Sequence, residues 1–455
     1  MVDGKPASRV KVHSTLTAVS STPVGPGTTR RLSPLDCAMR AHSCHVVFYY
    51  RNSPLGSFEL DPLRVSLSEV LSAYPVATGR LRWAGEADGG EWEVKCNDAG
   101  VRVLRAKVSV SMDEWLGTAD GEEERDLMAW EDLPDDPHIW SPFRIQLNEF
   151  EGGGIAIGIS CTHMIADLTS IALLFKSWTD VHRKRPLEFP PSFSECPASS
   201  LLTENSCHRF ALNKSSCVGG PQKVKMETRT FKFSEHALGP PMEVLRGEIP
   251  GVTQFDFLSA IFWAGISRIK NQTGSTGNLA ISIAMDGRKS VKNTQPLCYF
   301  GNSVHFSLLQ TNVADPRDNL QETVRLVHEH VSRIAEEQNR AVANGLYRNV
   351  LPNGKQEAQM EIYGEQLTFV NMEHLVIKGK AGDASILYEA TFNDGDAPLH
   401  VSCGIRGVGS KGVIVIVPEG GIARTVHVTL PDEEMADLLR DKTISELKPT
   451  LMLST

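Results

Sequence analysis

The pattern of apolar and polar positions changes period several times along the chain. Residues 10–19 alternate apolar and polar, which predicts a half-buried strand. Residues 66–72 carry Leu67, Val70 and Leu71 at helical spacing, with Ser66 in the place of a cap. The chain then turns through Pro75 and Gly79. Residues 154–160 put Ile155, Ile157 and Ile159 on one strand face. From Leu168 the apolar spacing becomes three and four. Leu168, Ile171, Leu174, Phe175, Trp178 and Val181 form one helix stripe. Asp167 stands at the N-cap of that helix. Arg183, Lys184 and Arg185 close it where cations suit its dipole, and Pro186 ends it.

Residues 186–225 break the pattern with Pro186, Pro190, Pro191, Pro197, Pro221 and many serines. So long a stretch without periodicity predicts a crossover between an N-terminal lobe, 1–185, and a C-terminal lobe, 226–455. The second lobe reads as strands at 227–233, 279–286, 399–403, 412–417 and 425–430. Helices are predicted at 253–269, capped by Thr253, at 320–343, and at 431–439 with Glu433 and Glu434 in the first turn. Strands alternating with helices in both lobes predict a mixed α/β protein. No repeat of fixed period is present.

Composition narrows the function classes. The 455 residues are 41% hydrophobic and 22% charged, which excludes a disordered chain, a collagen and a disulfide miniprotein. A net charge of −9 argues against a nucleic-acid partner. No run approaches the ~20 apolar residues of a membrane span, and residues 1–10 hold no signal-peptide core. The nine cysteines are scattered without a C-x-x-C, so reduced thiols in the cytosol and no metal site are expected.

The candidate chemistry lies at the strand-to-helix junction Cys161-Thr162-His163-Met164-Ile165-Ala166-Asp167. An imidazole leaving the end of a strand can accept a proton near neutral pH. Spacing alone does not choose between a base and a capping histidine, since 14 histidines give roughly 0.7 His-x-x-x-Asp matches by chance. Cys161 reads as a small core residue rather than a nucleophile. Gly152-Gly153-Gly154 reads as a turn, because no phosphate-loop Lys accompanies it, and no G-x-S-x-G elbow is present. Asp132, Asp135 and Asp136 read as solvated. Glu122-Glu123-Glu124-Arg125 reads as an exposed helix start. Trp140, Phe143 and Trp178 read as core residues first and as lining of a binding channel second.

Four motifs resemble those of the BAHD acyltransferases, the plant acyl-CoA-dependent O- and N-acyltransferases. They are Leu32-Ser33-Pro34-Leu35-Asp36; the run Leu63-Arg64-Val65-Ser66-Leu67-Ser68 with Tyr74-Pro75-Val76-Ala77-Thr78-Gly79-Arg80-Leu81; His163 to Asp167; and Asp286-Gly287-Arg288 with Tyr299-Phe300-Gly301-Asn302. The resemblance implies a two-lobed, chloramphenicol-acetyltransferase-like α/β fold, each lobe a mixed sheet flanked by helices, with a channel between them. It implies acyl-CoA as co-substrate or ligand and no bound cofactor. It makes His163 the catalytic general base. It also makes Asp167 a structural support of the site, paired with Arg288. A monomer is expected.

One motif departs from the family. Where its members carry D-F-G-W-G, this chain has Thr391-Phe392-Asn393-Asp394-Gly395. Thr391 cannot replace a carboxylate in an ion pair, and Asn393 restores only part of a glycine's freedom. The N-terminal runs Val12-His13-Ser14, Val24-Gly25-Pro26-Gly27, Leu35-Asp36-Cys37-Ala38-Met39 and His45-Val46-Val47-Phe48-Tyr49-Tyr50 resemble the eceriferum/glossy type of BAHD protein. That type implies a role in very-long-chain fatty acid elongation for cuticular wax. It would act with the condensing enzyme, a 3-ketoacyl-CoA synthase, at the cytosolic face of the endoplasmic reticulum. Two readings stay open: a protein that assists the elongase, and an acyltransferase using His163.

Overall fold

The alternating residues 10–19 form the strand Val10–Ala18 at one edge of a six-stranded sheet. The computed structural model describes residues 8–52, 60–84, 92–193, 224–272, 280–288, 297–310, 319–343, 362–363, 366–379 and 382–453. Most of the expected crossover, residues 194–223, lies outside them. The chain divides into two compact units. Met1–Pro191, Ile386–Arg406 and Leu453–Thr455 form the first; Ser192–Ser385 and Gly407–Met452 form the second.

The sheet of the first unit runs in the order Val10–Ala18, Val101–Val108, Phe143–Phe150, Ile155–Thr162, Ser43–Tyr50, His400–Arg406. Only Val101–Val108 and Phe143–Phe150 pair in parallel. The last strand comes from the stretch assigned above to the C-terminal lobe. It pairs antiparallel with Ser43–Tyr50 from His400 opposite Tyr49 to Arg406 opposite Ser43. Every residue of Ile155–Thr162 and of Ser43–Tyr50 is buried, so both faces of these central strands are covered.

One covering element is the helix Leu168–His182, where the three-and-four spacing placed it. Phe175 of this helix stacks on Phe48 of the sheet at 3.7 Å. The helix Leu60–Leu71 packs beside it. Ser66 is therefore not a cap. It sits inside that helix, donates to the Leu63 carbonyl at 3.1 Å and accepts from Trp178 Nε1 at 3.1 Å. Pro62 falls in the first turn, where the missing N–H has no helical acceptor to lose.

The second unit is built on a nine-stranded sheet. Its main path is Val304–Leu309, Ile281–Asp286, Leu367–Asn371, Val413–Gly420, Ala423–Pro431, Met226–Phe233, Thr450–Met452. Ile281–Asp286, Leu367–Asn371 and Val413–Gly420 run parallel to one another. Phe231, Phe262, Trp263, Ile283, Phe369 and Ile414 belong to its core. Thr253 caps the helix Gln254–Gln272 as expected. Its hydroxyl accepts from Asp256 N at 3.3 Å, and the Asp256 carboxylate accepts from Thr253 N at 2.9 Å. Among the described residues, no helix is long and apolar enough to cross a membrane.

Candidate functional site

The His163 junction is built from backbone outward. Thr162 ends its strand by donating N–H to Pro142 O at 3.1 Å. His163 N–H donates to His42 O at 3.0 Å, on the neighbouring chain segment. Ile165 N–H closes a turn on Thr162 O at 3.1 Å, and Met164 N–H donates to Thr162 Oγ1 at 3.3 Å. The turn is packed tightly: His163 is 1% exposed, and Met164, Ile165 and Ala166 are buried. Asp167 then opens the helix. Its carboxylate accepts from Ser170 N at 2.8 Å, and its carbonyl accepts from Ile171 N at 3.1 Å. The expected N-cap is thus present, and it fixes where the helix starts relative to His163.

Cys161 is fully buried and donates to Ala166 O at 3.8 Å. Burial, and then the nearby Asp167 charge, push its thiol well above the ordinary value. Cys44, directly opposite it, is raised by burial first and then by Cys161 and Asp167. Both stay protonated near neutral pH, which suits core residues and not nucleophiles.

A polar chain lies on the other face of the same strands. His45 places Nε2 2.7 Å from Ser43 Oγ and Nδ1 2.9 Å from Ser160 Oγ. Ser43 is registered opposite Thr162, one residue before His163. Burial, then Arg406 and Arg125, push His45 well below the ordinary value, so it is a neutral bridge. His45 opens the run His45–Tyr50 quoted for the eceriferum type, but none of the four acyltransferase motifs gives this group a role. The available signal was polar residues at alternate positions, Ser43 and His45 against Ser160 and Thr162, in strands that are otherwise apolar.

The acidic run is corrected in one residue. Asp120 caps the short helix Gly121–Glu124. Glu122 is exposed, but Glu124 turns inward and accepts from Tyr49 Oη at 2.6 Å. Burial raises its carboxyl above the ordinary value against the hydrogen bonds of Ser402 and Tyr49. Asp132, Asp135 and Asp136 lie toward solvent, and none of them is buried. Trp140, Phe143 and Trp178 are buried among their neighbours, Trp140 edge-on to Trp130 at 5.4 Å.

The altered segment Thr391–Gly395 docks at the far end of the Leu168–His182 helix from Asp167. Fifteen residues separate the two ends by roughly 20 Å. Phe392 is 2% exposed and meets His182, Trp178, Phe175 and Tyr50 edge-on at 5.3, 5.4, 5.7 and 5.8 Å. Arg183, the C-cap of the helix, donates Nη1 to Thr391 Oγ1 at 2.5 Å and Nη2 to Asp394. Tyr50 Oη donates to Ala390 O at 2.6 Å. A carboxylate three residues downstream of Thr391 therefore meets the arginine, while Thr391 adds a neutral hydrogen bond. Gly395 has φ +87°, the left-handed region that favours glycine.

In the second unit, Arg288 links two motifs that the sequence shows only as separate strings. Its Nη1 bonds Asp286 Oδ2, Nε donates to Tyr299 O at 3.0 Å, and Nη2 donates to Gly301 O at 2.8 Å. Its backbone N–H donates to Asp286 Oδ1 at 2.8 Å. Gly287 N–H donates to Ser303 O at 2.7 Å, and a Cβ on Gly287 would stand 2.9 Å from Ser303 Oγ. Asp286, Gly287 and Arg288 are thereby fastened to residues 299–303. Asp167 belongs to the first unit and Arg288 to the second.

The profile of the Transferase family matches residues 9–443. Protein ECERIFERUM 2 of Arabidopsis thaliana is 25% identical over 454 residues, covering 97% of this chain and 99% of its own. Protein ECERIFERUM 26-like of the same plant is 24% identical, with 92% of each chain covered. Among solved structures, vinorine synthase superposes with a TM-score of 0.66 at 16% identity, over 94% of this chain and 96% of its own. TRI101 of F. sporotrichioides, solved with coenzyme A and T-2, gives a TM-score of 0.65 at 15% identity, over 94% of this chain and all of its own. At such identities the solved structures establish the fold: the two-lobed, chloramphenicol-acetyltransferase-like architecture. With four motifs in order and a profile match along nearly the whole length, the chain belongs to the Transferase family of BAHD acyltransferases and resembles its eceriferum type from end to end.

Proposed function

We propose that this protein acts in very-long-chain fatty acid elongation for cuticular wax, together with the 3-ketoacyl-CoA synthase of the elongase and with an acyl-CoA as its ligand. It works at the cytosolic face of the endoplasmic reticulum. The observation that carries this reading is the nearly full-length similarity to the ECERIFERUM proteins, in a chain whose Thr391–Gly395 segment departs from the acyltransferase motif. The coenzyme A held by TRI101, a protein of the same fold, supports the ligand. The test is to incubate the condensing enzyme and its elongase partners with long-chain acyl-CoA, with and without this protein. Longer products are expected in its presence. An unchanged product length would remove the proposal.

A second reading is acyl transfer, and the buried, backbone-fixed His163 favours it. His163 would take the proton of an acceptor hydroxyl or amine as that group attacks the thioester carbonyl. The tetrahedral oxyanion would collapse and release the coenzyme A thiolate. A positioned base of this kind contributes roughly 10²–10⁴-fold. In both readings Asp167 and Arg288 are proposed to pair, and so to tie the His163 turn to the Asp286–Arg288 turn. A double-mutant cycle with Asp167→Asn and Arg288→Gln tests this. A coupling of about 0.5–3 kcal/mol in unfolding free energy is expected. Additive effects would remove the pair.

A further inference from the structure

His374 is a candidate that no motif points to. It lies in the short helix Glu373–Leu375, directly after the strand Leu367–Asn371. That strand runs parallel to Ile281–Asp286 and beside it, so both strands end at the same edge of the sheet. Asp286 closes one strand, and His374 comes three residues after the end of the other. There the His374 Nε2 lies 3.6 Å from Asp286 Oδ2. All three side chains in the group are enclosed: Arg288 0%, Asp286 3% and His374 10% exposed.

The mount under His374 is stiff. Glu373 N–H donates to Asn371 Oδ1 at 2.9 Å. The Glu373 carboxylate takes a two-pronged grip from Arg424, at 2.7 Å from Nε and 2.6 Å from Nη2. Arg424 also donates to Gln254 Oε1 at 3.3 Å. Such a fork fixes direction as well as distance. Asp286, in turn, meets Arg288 with both carboxylate oxygens, Oδ2 at the guanidinium and Oδ1 at the backbone N–H. Burial works against its charge, yet His374 and then Arg288 hold it below the ordinary carboxylate value.

We propose that His374 is a positioning residue of the Asp286–Gly287–Arg288 turn: through Nε2 it steadies the buried Asp286 carboxylate, and the carboxylate aims the Arg288 guanidinium at Tyr299 O and Gly301 O. The inference goes beyond the functional reading and holds whether or not the protein transfers acyl groups. It makes His374, Asp286 and Arg288 one unit in which the histidine acts only through its neighbour.

The test is the reactivity of Arg288 toward phenylglyoxal, tracked residue by residue by mass spectrometry on the full chain. Arg424, 2% exposed and gripping the residue next to His374, is the internal control. In the His374→Leu protein, Arg288 is expected to react roughly tenfold faster, the size of one lost charge-assisted contact. Arg424 should stay protected. His374→Gln, which keeps an N–H donor at similar reach, should restore protection. Should the leucine protein not fold, His374→Asn, whose amide stops short of Asp286, takes its place with the same expectation. Equal protection of Arg288 without the histidine would overturn the proposal. So would failure of the glutamine to rescue, or equal exposure of Arg424, which would mark general loosening.

Discussion

Gly158 shows how little room surrounds the strand that carries His163. It lies in the middle of Ile155–Thr162, and a Cβ there would collide with the Leu127 carbonyl oxygen. Gly158→Ala should therefore cost about 1–3 kcal/mol of stability, read by denaturant unfolding, because backbone cannot step aside as a side chain can. An unchanged midpoint would show that the segment around Leu127 moves freely. At this scale the sequence was informative where a residue type marks its own role. Asp167 is a cap in the structure as in the sequence. Glu124 and His45 were not legible. Their burial depends on what lies opposite them, Tyr49 and Ser402 for one, Ser43 and Ser160 for the other. Cross-strand register is not written in local spacing.

The Leu168–His182 helix is the element on which the first unit turns. Its N-cap sets the His163 junction, and its last turn holds Phe392 and Arg183. Phe392→Ala should cost about 3–5 kcal/mol, as for other buried aromatic truncations. Thermal unfolding checks it, and a loss under ~1 kcal/mol, about a third of the expected minimum, would mean the docked segment is incidental. The helix itself was legible from its stripe, as were the strands Met226–Phe233, Ile281–Asp286, Val413–Gly420 and Ala423–Pro431 of the second unit, whereas Val304–Leu309, Leu367–Asn371, Val376–Gly379, Gly382–Ser385 and Thr450–Met452 were not. The helix Glu235–Glu248 was not, because Gly239, Pro240 and Pro241 interrupt it. Leu238, Met242 and Leu245 are buried at helical spacing, and that packing outweighs the lost backbone bonds. Nor does alternation reveal that His400–Arg406 joins the first unit's sheet. A strand's pattern states that it has faces, not which sheet receives it.

At the scale of the whole molecule, acid should loosen the second unit through His330. Its Nδ1 accepts from Arg333 at 2.8 Å and its Nε2 meets Ser307 Oγ at 2.9 Å, so no lone pair is left for a proton. Burial, then Arg333 and His305, lower its pKa to about 4. Above pH ~6.5 the histidine is neutral folded or unfolded and pH has no effect through it. As pH falls from ~6.5 to ~4 only the unfolded chain takes up the proton, and stability is lost. The loss is at most on the order of 3 kcal/mol before solvent screening. His330→Asn should flatten that limb in a series of melts against pH. An equally steep limb would assign the acid sensitivity to other groups. The functional proposal is tested at a different histidine, His163. The most direct measurement is the chain-length profile of cuticular wax in a plant lacking this protein, after return of the wild-type chain or of His163→Ala. The account predicts that both restore the long-chain classes, because assisting the elongase needs the fold and not a base. Restoration by the wild-type chain alone, with the variant folded to the same melting temperature, would contradict it and remove the purely accessory reading.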